Sequence, residues 1–216
     1  IEPQKVELLV DEVLTQYLLI PLYDMHFGVN TYDDLLIKIT DIVRNTYEEI
    51  LIVVGGDYLH VDNLNNTTVK GTQLESVDFT KMIEDGVWFL KSIVKVCLEN
   101  SPCVKLVYLP GNHASSNDFI ITWGVGQTFD DLDCDVAIEQ FKHAWLGKHS
   151  IFLHHGDKIK NEKRLLEVMV AKYAREWGES QSRYLVTGHF HHEKSLAFGG
   201  LTHYQMMSPA RNSQYE

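Results

Sequence analysis

Glu49-Ile50-Leu51-Ile52-Val53-Val54-Gly55-Gly56-Asp57 is the clearest strand signal in the chain. Its apolar, largely β-branched run lacks the polar alternation of a strand with one face in water, so it suits a strand covered on both sides. Gly55-Gly56 ends the run and places Asp57 just beyond its carboxyl end. Working outward, apolar residues recur at helical spacing from Asp33 to Glu49 (Leu35, Leu36, Ile39, Ile42, Val43, Tyr47) and again from Met82 to Leu98 (Ile83, Val87, Leu90, Val94). Between them, residues 61–80 are polar and read as an excursion over the functional edge. Tyr17 to Tyr23 reads as a strand whose Pro21 points to an edge position or a local irregularity, and Val104 to Leu109 as a strand stopped by Pro110-Gly111. A helix interrupted near Gly124 and Gly126 is expected over 116–129, and a continuous one from Glu162 to Trp177. Phe141–Leu146 is apolar-rich, His149–Leu153 leads into a histidine pair, and 183–187, 196–198 and 202–206 read as strands, the last two joined by a Gly199-Gly200 turn. Val6–Val13 reads equally as a leading helix or an added strand. Strands alternating with helices, then strand-rich sequence, predict an α/β layered domain.

The 216 residues suit one domain spanning 1–216, with enough apolar content for a substantial core. The start at Ile1 and the sequence after Pro209 suggest an excerpt of a longer chain. Thirty acidic residues against nineteen basic ones give a formal charge of −11, which disfavours an extended nucleic-acid surface unless a local basic patch supplies one. The only clear candidate patch is Lys158, Lys160, Lys163 and Arg164, which also reads as an ordinary solvated helix face. Three scattered cysteines suit a reduced, cytoplasmic setting better than a disulfide framework. No stretch approaches the length of a membrane span, and no phosphate-binding glycine loop of the nucleoside-triphosphatase kind is present.

One event repeats along the chain: a hydrophobic run stops and Asp, Asn or His follows at once. It occurs at Asp24-Met25-His26, Gly55-Gly56-Asp57, Gly111-Asn112-His113, His154-His155-Gly156 and Gly188-His189-Phe190-His191. In an open α/β sheet such residues gather beyond the carboxyl ends of the strands. Asp24, His26, Asp57, Asn112, His189, His191 and one histidine of the 154–155 pair give seven oxygen or nitrogen donors, enough for two metal ions sharing a carboxylate. Such a pair, roughly 3.5–4 Å apart, would activate water against a phosphate ester.

Taken in order, these clusters, with Tyr58-Leu59-His60 after Asp57 and Asp157 after Gly156, resemble the calcineurin-like metallophosphoesterase superfamily over about Tyr17–Pro209. Within it the chain is most similar to phage and bacterial phosphoesterases labelled DNA-repair exonucleases. The resemblance implies a four-layer α/β/β/α sandwich that hydrolyses a phosphodiester, DNA among the candidates, with two divalent ions, manganese first and iron, zinc, nickel or magnesium open. It implies Asp24, His26, Asp57 and His191 around one ion. Asp57, Asn112, His189 and a histidine of the 154–155 pair would surround the other, with His155 preferred because it precedes Gly156-Asp157 and His154 kept as the alternative. By the same resemblance Asn112 and His113 meet the substrate, with His113 assisting the leaving oxygen. His60 is expected to be a hydrogen-bonding support, with direct ligation as the alternative, and Asp157 to be structural. The chain departs from the family at Ala114, where an acidic residue normally follows that histidine; Asp118 or Asp57 is expected to compensate. The rival readings are a phosphomonoesterase of small substrates and a catalytically silent metal-binding interaction domain.

Overall fold

The structure is a computed structural model, described for residues 16–209; the Val6–Val13 segment lies outside them. Two sheets form its centre. The first is wholly parallel, in the order β1 (Tyr17–Leu22), β2 (Glu49–Val54), β3 (Val104–Tyr108), β4 (Leu132–Asp135). The second contains β5 (Phe141–Leu146), β6 (His149–His154), β7 (Ser182–Thr187), β8 (Lys194–Phe198) and β9 (Leu201–Gln205), in the order β5-β6-β7-β9-β8. Three connecting helices, α1 (Asp33–Val43), α2 (Phe79–Asn100) and α3 (Ser115–Gly126), belong to the first half; α4 (Glu162–Lys172) and α5 (Ala174–Glu179) link β6 to β7.

The period of two along each strand divides the apolar residues among three cores. Ile50, Ile52 and Val54 of β2, with Val104, Leu106 and Tyr108 of β3, pack with Phe89, Leu90 and Ile93 of α2 and Ile121 of α3. The intervening Leu51, Val53 and Val107 meet Ala144, Ile151, Leu153 and Val186 of the second sheet. On the far side of that sheet, Phe152 and Leu185 pack with Leu165 and Met169 of α4. The layers are therefore α/β/β/α, as the resemblance implies. A strand buried on both faces must be apolar throughout, which is why β2 was so legible.

The edge position of β1 accommodates Pro21, which lacks a backbone N–H. Several expected boundaries move. The first helix ends at Val43, short of Glu49, and the second begins at Phe79, where the Asp78 carboxylate accepts the Lys81 amide N–H. The third helix runs through Gly124 without interruption. The expected 162–177 helix breaks at Tyr173 (φ −124°), whose hydroxyl donates to the Phe141 carbonyl while its ring packs near Phe152. The acidic 130–135 stretch contains the unanticipated edge strand β4. Gly199 and Gly200, both with positive φ, make the β8–β9 turn. No helix among the described residues is long and apolar enough to cross a membrane.

Candidate metal centre

The five polar clusters sit where β1, β2, β3, β6 and β7 end, and backbone hydrogen bonds lace their loops together. Asp24 N donates to Gly56 O, His26 N to Asp57 O and Phe27 N to Tyr58 O, zipping the β1 loop to the β2 loop. Gly188 N donates to His155 O at 2.7 Å, joining the β6 and β7 loops. The two sheets meet where His189 N donates to Asp24 Oδ2 at 2.7 Å. Among the described residues, five of the six non-glycine positions with positive φ are Asp24, His26, Asp57, His189 and His191. This left-handed conformation is costly for residues with a Cβ, and such residues concentrate at functional sites.

Three groups of donors result, two of them containing a carboxylate. In the first, one ligand atom each from Asp24, His26 and His191 lies within 4.8 Å of the others. His26 Nε2 and His191 Nε2 face each other at 3.2 Å, and Asp24 Oδ1 is 3.8 Å from His191 Nε2. Asp24 Oδ1 and His26 Nδ1 are buried without a hydrogen-bond partner. The second set is Asp57, His155 and His189. His155 Nε2 lies 3.2 Å from Asp57 Oδ2 and 3.3 Å from Asn112 Oδ1, while its Nδ1 is 3.0 Å from the Gly55 carbonyl. A second hydrogen bond of that kind orients a ligating imidazole.

His154 is directed elsewhere. It continues the strand alternation of β6, stacks on Phe141 with ring centroids 4.6 Å apart, and neither of its ring nitrogens has a hydrogen-bond partner. The structure thus brings His155, and not His154, into the second set.

Asp57 ties the centre together. Its Oδ1 accepts both the Asn112 and the His113 backbone N–H at 2.7 Å, which fixes the β3 loop against the β2 loop. Burial alone would push its carboxyl up, but His155, then His113 and His26, hold it well below the ordinary carboxylate range. Asp57 therefore interacts with histidines of both sets. Burial also opposes a charge on His155, yet Asp57 raises that imidazole to about 10. Asp24 is pushed up to about 7 by burial and by Asp57, with His155 opposing, whereas His26 falls well below its usual value through burial. His189 falls to about 4, chiefly through burial. Imidazoles kept neutral at His26 and His189, beside an Asp24 oxygen buried without a hydrogen-bond partner, fit divalent cations, and a bound cation would displace the proton that Asp57 holds on His155.

His113 Nδ1 lies 3.0 Å from the His60 carbonyl, leaving Nε2 as its available nitrogen. The ring is thus met at Nδ1 by a main-chain carbonyl, and of the two acids expected to compensate for Ala114, Asp57 accepts the His113 backbone N–H. Asp118 is instead buried beneath the β2 loop, accepting Tyr58 N–H at 3.1 Å and Leu59 N–H at 2.9 Å. The side chain of His60 was expected to be a hydrogen-bonding support; both its ring nitrogens lack hydrogen-bond partners, and support comes from its carbonyl. Asp157 pairs with Lys158 and Arg164 with Glu167, which neutralises half of the anticipated basic patch. Lys160 lies over the Phe190 ring.

No family model matches the chain, and no curated protein matches it in sequence. Solved structures similar to it include zinc-complexed Vps29 from Entamoeba histolytica, 13% identical with TM-score 0.40, covering 89% of this chain and 74% of that one. A conserved predicted phosphoesterase from Streptococcus pneumoniae is 13% identical with TM-score 0.38, over 88% and 71%. Phosphopantetheinyl hydrolase from Mycobacterium tuberculosis is 9% identical with TM-score 0.42, over 89% and 90%.

Proposed function

We propose that the chain is a metal-dependent phosphoesterase acting on phosphodiesters. The observation that carries this reading is the pair of buried donor sets, Asp24–His26–His191 and Asp57–His155–His189, with Asp57 interacting with both. Two divalent ions held there, manganese being the first to test, would draw charge from the phosphoryl oxygens and lower the pKa of the attacking water. The chain's own residues do the rest. Asp57, fixed by two backbone N–H groups, holds the strand-end loops in register, and Asn112 Oδ1 completes the second set beside His155. His113 presents Nε2 for the leaving oxygen, while the His60 carbonyl holds Nδ1–H and stabilises the ring in either charge state.

Among the described residues the donor sets are His, Asp and Asn without a guanidinium fork of the kind that recognises a dianion, which supports a diester over a monoester. With half of the basic patch neutralised and a formal charge of −11, a small diester is the better substrate than a long nucleic acid. The test is turnover of bis-p-nitrophenyl phosphate, p-nitrophenyl phosphate and single-stranded DNA by protein reconstituted with Mn2+, Zn2+, Ni2+, Fe2+ or Mg2+. Bis-p-nitrophenyl phosphate is expected to be cleaved fastest. Absence of turnover with every metal would leave a silent metal-binding domain instead.

His113→Ala is expected to keep both metals and to lose about 100-fold in turnover with a poor leaving group, the order of one general acid. The loss should shrink with an activated nitrophenolate. An equal rate with both kinds of ester would remove His113 from the reaction.

A further inference from the structure

We propose that His26, His60 and His113 form a further, inhibitory cation site selective for zinc-like ions. One ring nitrogen from each lies within 4.8 Å of the other two, the same closeness that defines the two sets above. Ring centroids are 4.6 Å apart for His26 and His113 and 5.6 Å for both His26–His60 and His60–His113. His26 and His60 are each 3% exposed, and His26 Nδ1 with both ring nitrogens of His60 lacks any hydrogen-bond partner. Buried polar nitrogens left in this way are costly, and a cation would satisfy them. The His60 carbonyl already fixes the tautomer of His113 through Nδ1. The half-exposed Glu75 carboxylate lies 3.8 Å from His60 Nε2.

Three imidazoles suit zinc, whereas manganese and magnesium prefer oxygen-rich sites. The residues are also shared. His26 belongs to the Asp24 set, and on the functional reading above His113 serves the leaving oxygen. An ion in the three-histidine cluster would therefore loosen the first set and take the His113 lone pair, halting turnover while the second set stays filled.

The experiment adds ZnCl2 to Mn2+-saturated protein, following zinc uptake by calorimetry and turnover of bis-p-nitrophenyl phosphate. His60→Phe keeps the ring volume and removes the donor. Zinc is expected to inhibit the unaltered protein at a concentration at least tenfold below that needed for His60→Phe, and one calorimetric event should vanish in the variant. Glu75→Gln should weaken the same event about threefold, and it carries the comparison if His60→Phe does not fold. Identical zinc uptake and inhibition in the unaltered protein and the folded variants would overturn the site. Lack of turnover would defeat the phosphoesterase reading alone, because the calorimetric comparison would still decide whether these histidines bind zinc.

Discussion

Asp57→Asn should lower turnover at least ~1000-fold, about 4 kcal/mol on the barrier, and should reduce metal content measured by atomic absorption. Asp57 is 1% exposed, so its surroundings cannot relax into solvent. Oδ1 accepts two backbone N–H groups at 2.7 Å. An asparagine must keep its carbonyl oxygen there, because an amide nitrogen would face two donors. Its NH2 group is then forced to the position of Oδ2, 3.2 Å from His155 Nε2, where the anion had been. The fold should survive, since both backbone hydrogen bonds survive, while the charge that links the two donor sets is lost. Ordinary turnover with two retained metals would refute the shared role of Asp57.

Gly111→Ala should also be damaging, although it replaces no donor residue. A Cβ at this position would lie 2.2 Å from Asp57 Oδ1 and 2.4 Å from Asp57 N. The latter is backbone, so no rotamer relieves the clash, and the β2 and β3 loops must move apart. We expect about a 100-fold loss of turnover, from displacement on the scale that misaligned catalytic groups produce. A stability loss of about 2–3 kcal/mol in urea unfolding should accompany it, as for overpacked interiors. Gly124→Ala provides the contrast. Nothing lies within 4 Å of its Cβ, and it sits inside α3. Helix propensity should therefore stabilise that variant by about 0.5–1 kcal/mol with no effect on turnover. Equal activities in the two alanine variants would show that the Gly111 contact does not set the loop geometry.

Much of this arrangement was legible because burial writes itself into local sequence. β2 reads as apolar throughout since both its faces are covered, and Gly55-Gly56-Asp57 marks where it stops. The other strand ends announced themselves in the same way. β4 did not, because an edge strand can carry Asp133 and Asp135 on exposed positions and so looks like a loop. The break at Tyr173 was hidden for another reason. Helical periodicity continues across it, and the hydroxyl bond to the Phe141 carbonyl that marks the break comes from 32 residues away. Choosing between His154 and His155 depended on where β6 ends, a matter of one residue. The support for His113 by a main-chain carbonyl, and the attachment of Asp118 to the β2 loop, span more than fifty residues and involve backbone atoms that every residue possesses. No sequence signal distinguishes them.

The left-handed backbone at Asp24, His26, Asp57, His189 and His191 sets protein longevity against usefulness. Glycine at His189 or His191 would relieve roughly 1 kcal/mol of local strain while deleting a donor, whereas at Asp24 and Asp57 it would strand the backbone N–H groups their carboxylates accept. A breeding programme that screens only for heat resistance would thus find glycine attractive at the two histidines and would tend to erode the metal centre there. Screening must include turnover from the first round, or the sturdiest descendants will be the idle ones.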